Sequence, residues 1–320
     1  MGRFKDYVPH GVIPATLLAF NEDLSIDEAS SRKHLRDCAL LDGVTAATVN
    51  GHASEVHACT FEEQRRILDF CLDEVGDKVP LINGVYADGS QEAARIAAMA
   101  DKAGASALLV FPSQCFGLEA HLRPEMAVAH FSRIADATDL PIIVFQYPRA
   151  NLGYPFDTLL ELFERVPTIR AIKDWSGDPV LHERHVRTFQ NLPRPVNVLT
   201  THSAWLMSSL TMGAKGLLSG AGSVVSELQV ALFRAVQAGD LRAAQAVNDR
   251  LYPMQEAFYA PPFVDMHNRM KEALVLLGKL DKAVVRPPLM KLPRTEIDRL
   301  AKALTAAGML APQAFGAAAE

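Results

Sequence analysis

Short apolar segments rich in Val, Ile and Leu alternate along the chain with longer amphipathic segments. The apolar segments are almost continuously hydrophobic, which is typical of parallel strands that are covered on both faces. We therefore predict eight strands, over residues 11–18, 43–50, 79–83, 105–111, 141–146, 168–173, 196–200 and 215–219.

The amphipathic segments between these strands show the period of helices. We predict helices over residues 26–41, 60–75, 90–103, 124–138, 156–165, 179–191 and 203–212. Asp27 and Thr60 are placed as N-caps, and Gly43, Gly76 and Gly104 follow the ends of helical segments.

The order of these elements predicts an α/β fold, a closed (β/α)8 TIM barrel, over residues 1–230. After Ser226 no strand is predicted, and we expect a small helical C-terminal domain over residues 231–320. Its helices are predicted over residues 228–237, 241–259, 262–277 and 295–307. An open doubly wound sheet is the alternative fold, but the chain lacks the Gly-x-Gly-x-x-Gly motif with which such sheets bind nucleotides.

Composition and charge narrow the class of protein. The chain has 320 residues, of which 49% are hydrophobic and 22% charged, and its formal net charge is −5. Without a basic excess we expect no nucleic-acid partner. The start of the chain lacks the apolar segment of a signal peptide, and the longest apolar run, 107–112, is too short to cross a membrane. We therefore expect a cytoplasmic protein with no membrane partner.

Lys173 ends the sixth predicted strand, and reactive groups of barrels lie at the carboxyl ends of strands. A lysine that follows alternating apolar positions points into the barrel mouth, where desolvation lowers its pKa. The neutral amine is a nucleophile that forms Schiff bases with carbonyl compounds. The alternative is a solvated lysine paired with Asp174, and position alone does not decide between the two.

The second predicted strand ends in the segment 51–55, with the sequence GHASE. Gly51, followed by small residues, permits a tight loop whose backbone amides bind an anion such as a carboxylate. His52 and His57 lie on either side of Glu55, which would also fit a metal site, but their spacing matches no HExxH motif. We therefore predict no metal, and expect Glu55 to fix the loop as a hydrogen-bond acceptor.

Two further strand ends carry candidate residues. Phe145 and Tyr147 share one face at the end of the fifth strand, and Arg149 follows them closely. An arginine at a barrel mouth suits an acidic group of a substrate, and a solvated surface arginine is the alternative. His202, after the seventh strand, either lines the mouth or caps the next helix.

Three of these segments match motifs of one known family. The segment 51–55 resembles a Gly-Thr-Thr-Gly-Glu loop, the segment 172–178 (IKDWSGD) resembles a Schiff-base lysine segment, and 146–148 (QYP) lies where a Tyr-Asn-x-Pro segment is expected. The family they resemble is that of dihydrodipicolinate synthase and N-acetylneuraminate lyase, over nearly the whole chain. The resemblance implies a class I Schiff-base lyase that acts on 2-oxo acids, needs no metal or other cofactor, and forms a homo-oligomer, tetramer or dimer.

The chain departs from that family where the family transfers protons. His52 and Ala53 replace the two threonines of the loop, and Phe145 replaces a tyrosine. The tyrosine lent by a neighbouring subunit should fall near 113–114 and is absent. We therefore expect a divergent member rather than dihydrodipicolinate synthase proper. His52, whose imidazole ordinarily titrates near neutral pH, is the predicted replacement for proton transfer, and Tyr147 is the alternative.

We predict that Lys173 forms an iminium with pyruvate or a related 2-oxo acid and that the reaction is aldol cleavage or addition. The loop amides, at Gly51, His52 and Ala53, are expected to hold the carboxylate. The substrate's distal half is assigned to Arg149, Leu218 and Gly220. The alternatives are a dehydratase or deaminase with the same iminium, a barrel that binds a small acid without turnover, and a metal-dependent enzyme that a chelator would inactivate.

The predicted lining also bears on the polarity of the substrate. Phe145, together with Gln114 and Phe116 if they line the mouth, makes the pocket less polar than a sugar acid requires. An aromatic or otherwise apolar aldehyde half is therefore expected to fit this pocket better than a polar one.

Overall fold

The computed structural model describes residues 4, 6–147 and 152–311, in which eight strands alternate with helices. The strands are β1 (Gly11–Pro14), β2 (Ala47–Val49), β3 (Leu81–Val85), β4 (Ala107–Val110), β5 (Ile142–Gln146), β6 (Ile169–Asp174), β7 (Asn197–Thr200) and β8 (Gly216–Ser219). All are parallel and pair in the order β1-β8-β7-β6-β5-β4-β3-β2. Bridges from Val12 to Val44 and from Ala15 to Thr48 join the two ends of this sheet. The predicted (β/α)8 barrel is thereby confirmed.

The strands are buried because helices cover the outside of the barrel and side chains fill its inside. Every residue of β3, β4 and β5 is buried, which explains why their sequences are apolar except at Asn83 and Gln146. The first predicted strand, 11–18, is longer than the observed β1. The Ala15 and Thr16 amides still bond to the neighbouring strands, but the Leu17 amide donates to His34 Nε2 at 3.2 Å, and the chain leaves the sheet there.

The first two barrel helices begin directly after Asp27 and Thr60, the N-caps that the sequence predicts. The barrel helices are α1 (Glu28–Ala39), α2 (Phe61–Val75), α3 (Ser90–Ala103), α4 (Pro124–Ala135), α5 (Phe156–Arg165), α6 (Pro179–Phe189), α7 (Leu206–Thr211) and α8 (Gly222–Gln237). The Thr60 hydroxyl accepts from the Glu63 amide, and the Glu63 carboxylate accepts from the Thr60 amide, which forms a capping box. Across the described residues, no helix is both long enough and apolar enough to cross a membrane.

The C-terminal part contains α9 (Leu241–Phe258), α10 (Met266–Leu276) and α11 (Arg294–Ala306). The helix predicted over residues 228–237 begins earlier, at Gly222, so the expected domain boundary at residue 230 falls inside α8. The start of α8 does not show the hydrophobic pattern of a helix, because the close approach of β1 requires small residues there. A Cβ at Gly222 would lie 3.0 Å from Pro14 Cα, and the Ser223 hydroxyl donates to the Ala15 carbonyl.

Candidate active site

Lys173 lies near the carboxyl end of β6, between β5 and β7. It is 7% exposed and lines a cavity of about 430 Å³, including the part open to solvent. The Asp174 carboxylate pairs with His182 and His185 rather than with this lysine. Of the two orientations that the sequence left open, the structure therefore shows the one into the barrel mouth. We call this space the lysine cavity.

The Lys173 amine lies in an apolar environment. Its Nζ is 4.0 Å from the centroid of the Phe145 ring. Burial lowers the pKa of Lys173 to about 7, and within the described residues no carboxylate offsets this effect. About half of the amine is therefore neutral at pH 7, which is the form that attacks a carbonyl carbon.

The loop after β2 forms one wall of the lysine cavity with Gly51, His52 and Ala53. Gly84 in β3 allows the close approach of this loop, because a Cβ there would lie 1.9 Å from the Asn50 carbonyl oxygen. A 3-10 turn begins at His52, and no hydrogen bond among the described residues occupies the amide N–H of His52 or Ala53. Both amides are thus available to an anion, and carboxylate binding there stays a prediction.

Glu55 attaches this loop to the C-terminal helices. Its carboxylate accepts hydrogen bonds from the Lys271 ammonium group and, at 2.9 Å, from the Arg286 amide. The side chains of Glu55 and Lys271 are each 1% exposed. His57 is exposed, and no potential metal-binding cluster of the described residues contains Glu55, His52 or His57. Glu55 thus fixes the loop as the hydrogen-bond acceptor that the sequence analysis expected.

His52 and Tyr147, the two candidates for proton transfer, are in contact. Their ring centroids are 5.8 Å apart, and His52 lines the lysine cavity while Tyr147 packs on Trp175. Burial, together with the nearby Lys173, lowers the pKa of His52 to about 3. The expectation that this imidazole titrates near neutral pH is therefore wrong at this site. The neutral ring still carries one N–H donor and one acceptor nitrogen.

Two polar side chains from the C-terminal part line the lysine cavity together with Met266, and the sequence analysis missed both. Tyr259, directly after α9, forms side-chain hydrogen bonds with Ser203 and Ser219, and burial raises its pKa. His267 in α10 lies 6.3 Å from His52 between ring centroids, and burial lowers its pKa well below the usual value. No local motif marks either residue, because tertiary packing alone brings them to the barrel mouth.

Of the three residues predicted to bind the distal half of the substrate, only one is found among the described residues that line the lysine cavity. Gly220 lines the lysine cavity, and a Cβ there would lie 3.1 Å from Nε2 of His267. Leu218 is fully buried in β8 and is not part of the cavity lining. Arg149 lies outside the described residues.

Phe116 and Gln114 do not line the lysine cavity, contrary to expectation. The Phe116 ring packs instead at centroid distances of 5.8 Å from His130 and 6.3 Å from Tyr154. Both residues lie in a 3-10 turn after β4, in which Phe116 is buried and Gln114 is exposed. The argument for an apolar substrate from these two residues is therefore wrong.

A second group of titratable side chains lies at the end of β6. The Asp174 carboxylate accepts from His182 and His185 at 2.7 and 2.8 Å. Burial raises the pKa of Asp174, but these hydrogen bonds outweigh it and hold the pKa well below its usual range. Asp174, His182 and His202 are close enough to hold one metal ion. However, the Gly177 amide already donates to His202 Nε2 at 3.0 Å, so hydrogen bonds account for the cluster.

Comparison with known proteins gives relatives over almost the full length. The model of the dihydrodipicolinate synthetase family matches residues 8–307. The 4-hydroxy-tetrahydrodipicolinate synthase of Bartonella bacilliformis is 26% identical over 307 residues, covering 94% of this chain and 98% of its own. An uncharacterised DapA-like lyase of Halobacterium salinarum is 30% identical over 304 residues, with 94% and 95% covered.

Solved structures share the fold at lower identity. A monomeric variant of dihydrodipicolinate synthase superposes with a TM-score of 0.86 at 23% identity, covering 96% of this chain and 99% of its own. YagE, a prophage protein of E. coli K12 solved in complex with pyruvate, superposes with a TM-score of 0.83 at 23% identity, with 94% and 99% covered. Since the family match includes both the barrel and the C-terminal helices, the chain belongs to the dihydrodipicolinate synthetase family.

Proposed function

We propose that Lys173 forms a Schiff base with pyruvate or a related 2-oxo acid, and that the protein catalyses aldol cleavage or addition through it. Membership of the family identifies the protein as a lyase of the class I aldolase type. The observation that carries the more specific proposal is the buried Lys173 amine, which faces a cavity and has a pKa of about 7.

The proposed chemistry needs only the lysine and proton transfers. The Lys173 amine adds to the C2 carbonyl, and loss of water gives an iminium. In cleavage, the C4 hydroxyl loses a proton, the C3–C4 bond breaks, and its electron pair moves to the iminium. An aldehyde leaves, the resulting enamine takes a proton at C3, and hydrolysis releases the 2-oxo acid and the amine. The amides of His52 and Ala53 hold the carboxylate throughout.

The same iminium supports dehydration or deamination of a 2-oxo acid, and the products distinguish these reactions. Cleavage releases two carbonyl compounds, whereas dehydration releases water and deamination releases ammonia, each with a single carbon skeleton. Gly220 remains part of the proposed substrate site, whereas Leu218 is fully buried and is left out of it. Arg149 would bind a substrate whose distal half is acidic, and a substrate with an uncharged distal half leaves it without this role. A cytoplasmic location and assembly as a dimer or tetramer also stay predictions.

Borohydride reduction tests the proposed intermediate directly. Treatment of the protein with pyruvate and borohydride is expected to leave a reduced adduct on Lys173, because the iminium is reduced to a stable secondary amine. Peptide mass spectrometry locates the modified residue. Lactate, which has no ketone, is the matched control ligand and should leave no adduct. An unmodified Lys173 after treatment with several different 2-oxo acids would contradict the proposal.

The rate of adduct formation should depend on pH through the lysine. Because burial lowers the pKa of Lys173 to about 7, the free amine is protonated at lower pH and loses its nucleophilic lone pair. We expect kcat/KM to fall about tenfold per pH unit well below pH 7 and to level off above it. Initial rates measured across this range check the prediction, and a midpoint near the ordinary lysine pKa would contradict it.

His52→Ala is expected to lower turnover by about 10²-fold while leaving the trapped adduct intact. The neutral imidazole can pass a proton at the iminium, but it forms no bond to the substrate. Turnover and borohydride trapping, measured side by side on the variant, separate these two steps.

His57→Ala is the matched control, because His57 lies in the same loop but is exposed to solvent. It should keep full activity. Full activity in the His52 variant as well would move the proton-transfer role to Tyr147.

A further inference from the structure

A second cavity opens beside the lysine cavity. Its volume is about 870 Å³, including the part open to solvent, and Trp175, Thr201 and Tyr259 line both spaces. These shared residues place the two cavities side by side, within reach of a molecule that is attached to Lys173 and extends past them. We call the second space the distal cavity.

Several aromatic rings line the distal cavity. The aromatic side chains, apart from histidine, are Trp175, Trp205, Tyr259 and Phe263. The Trp175 ring lies 5.0 Å from Tyr147 and 6.3 Å from Phe263 between centroids. Trp205 stacks on His202 at 4.0 Å with an interplanar angle of 23°. These contacts hold the rings in place, and such surfaces bind aromatic groups well.

The described lining of the distal cavity offers no positive charge to a ligand. None of the described residues that line it is Lys or Arg, and Glu256 is its carboxylate. Burial lowers the pKa of His202, which also lines it, to about 3, so this imidazole is neutral at pH 7. A carboxylate or phosphate on the ligand would therefore meet Glu256 without a counter-ion, whereas an uncharged ring would not.

We propose that the distal cavity binds the part of the substrate beyond the bond that is made or broken, and that this part is an uncharged aromatic group. The inference rests on the proposed Schiff base at Lys173. In the aldol addition reaction, C3 of the pyruvate enamine bonds to the carbonyl carbon of an aryl aldehyde, and the carbonyl oxygen takes a proton. Hydrolysis then releases a 4-aryl-4-hydroxy-2-oxobutanoate and the lysine amine. Cleavage is the reverse of these steps.

The first test compares three aldehydes in aldol addition with pyruvate. Benzaldehyde is aromatic and uncharged, 4-formylbenzoate is aromatic and anionic, and succinic semialdehyde is aliphatic and anionic. We expect kcat/KM for benzaldehyde to exceed the values for both anionic aldehydes by about tenfold or more. An equal or higher kcat/KM for either anionic aldehyde would overturn the inference.

Substitutions in the cavity provide the second test. Trp205→Ala should raise the KM for benzaldehyde about tenfold, with the KM for pyruvate and the trapped adduct unchanged. Phe263→Leu, a milder change, should raise the KM for benzaldehyde in the same direction. Tyr252→Ala is the control, because Tyr252 is an exposed aromatic residue of α9 outside the distal cavity. An unchanged KM for benzaldehyde in both cavity variants would contradict the inference.

Tryptophan fluorescence provides a test that does not require turnover. The chain has two tryptophans, Trp175 and Trp205, and both line the distal cavity. Benzyl alcohol, which cannot form an imine, should change the fluorescence in a saturable manner, and 4-(hydroxymethyl)benzoate should do so more weakly. A trapped pyruvate adduct without this change overturns the inference and leaves the proposed function intact. A saturable change without any adduct supports the aromatic cavity and overturns the proposed function.

Discussion

Lys173→Ala is expected to abolish the borohydride-trapped pyruvate adduct and to lower turnover by about 10⁴-fold or more. The substitution removes the amine that forms the covalent intermediate, and the buried Lys271, which pairs with Glu55, cannot replace it. Turnover assays and peptide mass spectrometry of the reduced protein measure the two effects.

Lys215→Ala is the matched control for this prediction. Lys215 is exposed and directly precedes β8, at the end of the barrel opposite the lysine cavity. The control variant should keep both its adduct and its activity. An adduct that persists elsewhere in the Lys173 variant, or full turnover without any adduct, would contradict the assignment of the nucleophile.

The barrel and the position of its lysine could be predicted because both follow from regular local patterns. Parallel strands buried on both faces have continuous apolar sequences, and their carboxyl ends all lie at one rim. Lys173, Phe145 and the loop 51–55 each follow or end such a strand, so they had to lie near one another. The structure shows all three on the lining of one cavity.

The other half of the site could not be predicted, because it depends on packing between distant segments. Tyr259 and His267 reach the cavity from the C-terminal helices, and no short-range periodicity encodes that contact. The pKa of His52 could not be predicted for the same reason. Its pKa is set by burial and by Lys173, and neither effect is visible in the loop sequence itself.

The positions at which this chain departs from the family motifs, in the loop 51–55 and at Phe145, lie on one side of the lysine cavity. On the barrel side His52, Ala53 and Phe145 carry no hydroxyl group, while Tyr259 and His267 add polar groups from the C-terminal side. The C-terminal helices thus form part of the site itself. How firmly they are attached to the loop after β2 therefore bears on both stability and catalysis.

Lys271→Met is expected to lower the free energy of unfolding by about 3–5 kcal/mol. Lys271 donates to Glu55 in an environment where both side chains are 1% exposed, so its removal leaves a buried carboxylate without its counter-charge. Lys271 lies one helical turn after His267 in α10, and its pair with Glu55 also holds this helix against the loop after β2. Chemical denaturation of the variant and the unmodified protein measures the loss.

The loss of stability in Lys271→Met should come from the unpaired Glu55 carboxylate rather than from the missing lysine side chain itself. Lys282→Met is the control, because the Lys282–Glu22 pair is exposed at 3.4 Å and should contribute less than about 1 kcal/mol. Glu55→Gln removes the negative charge but keeps an oxygen that accepts from the Arg286 amide. The double variant Glu55→Gln/Lys271→Met should therefore be destabilised by less than the sum of the two single changes. Strict additivity would show that the two groups do not stabilise one another, and that the loop is held against α10 by packing alone.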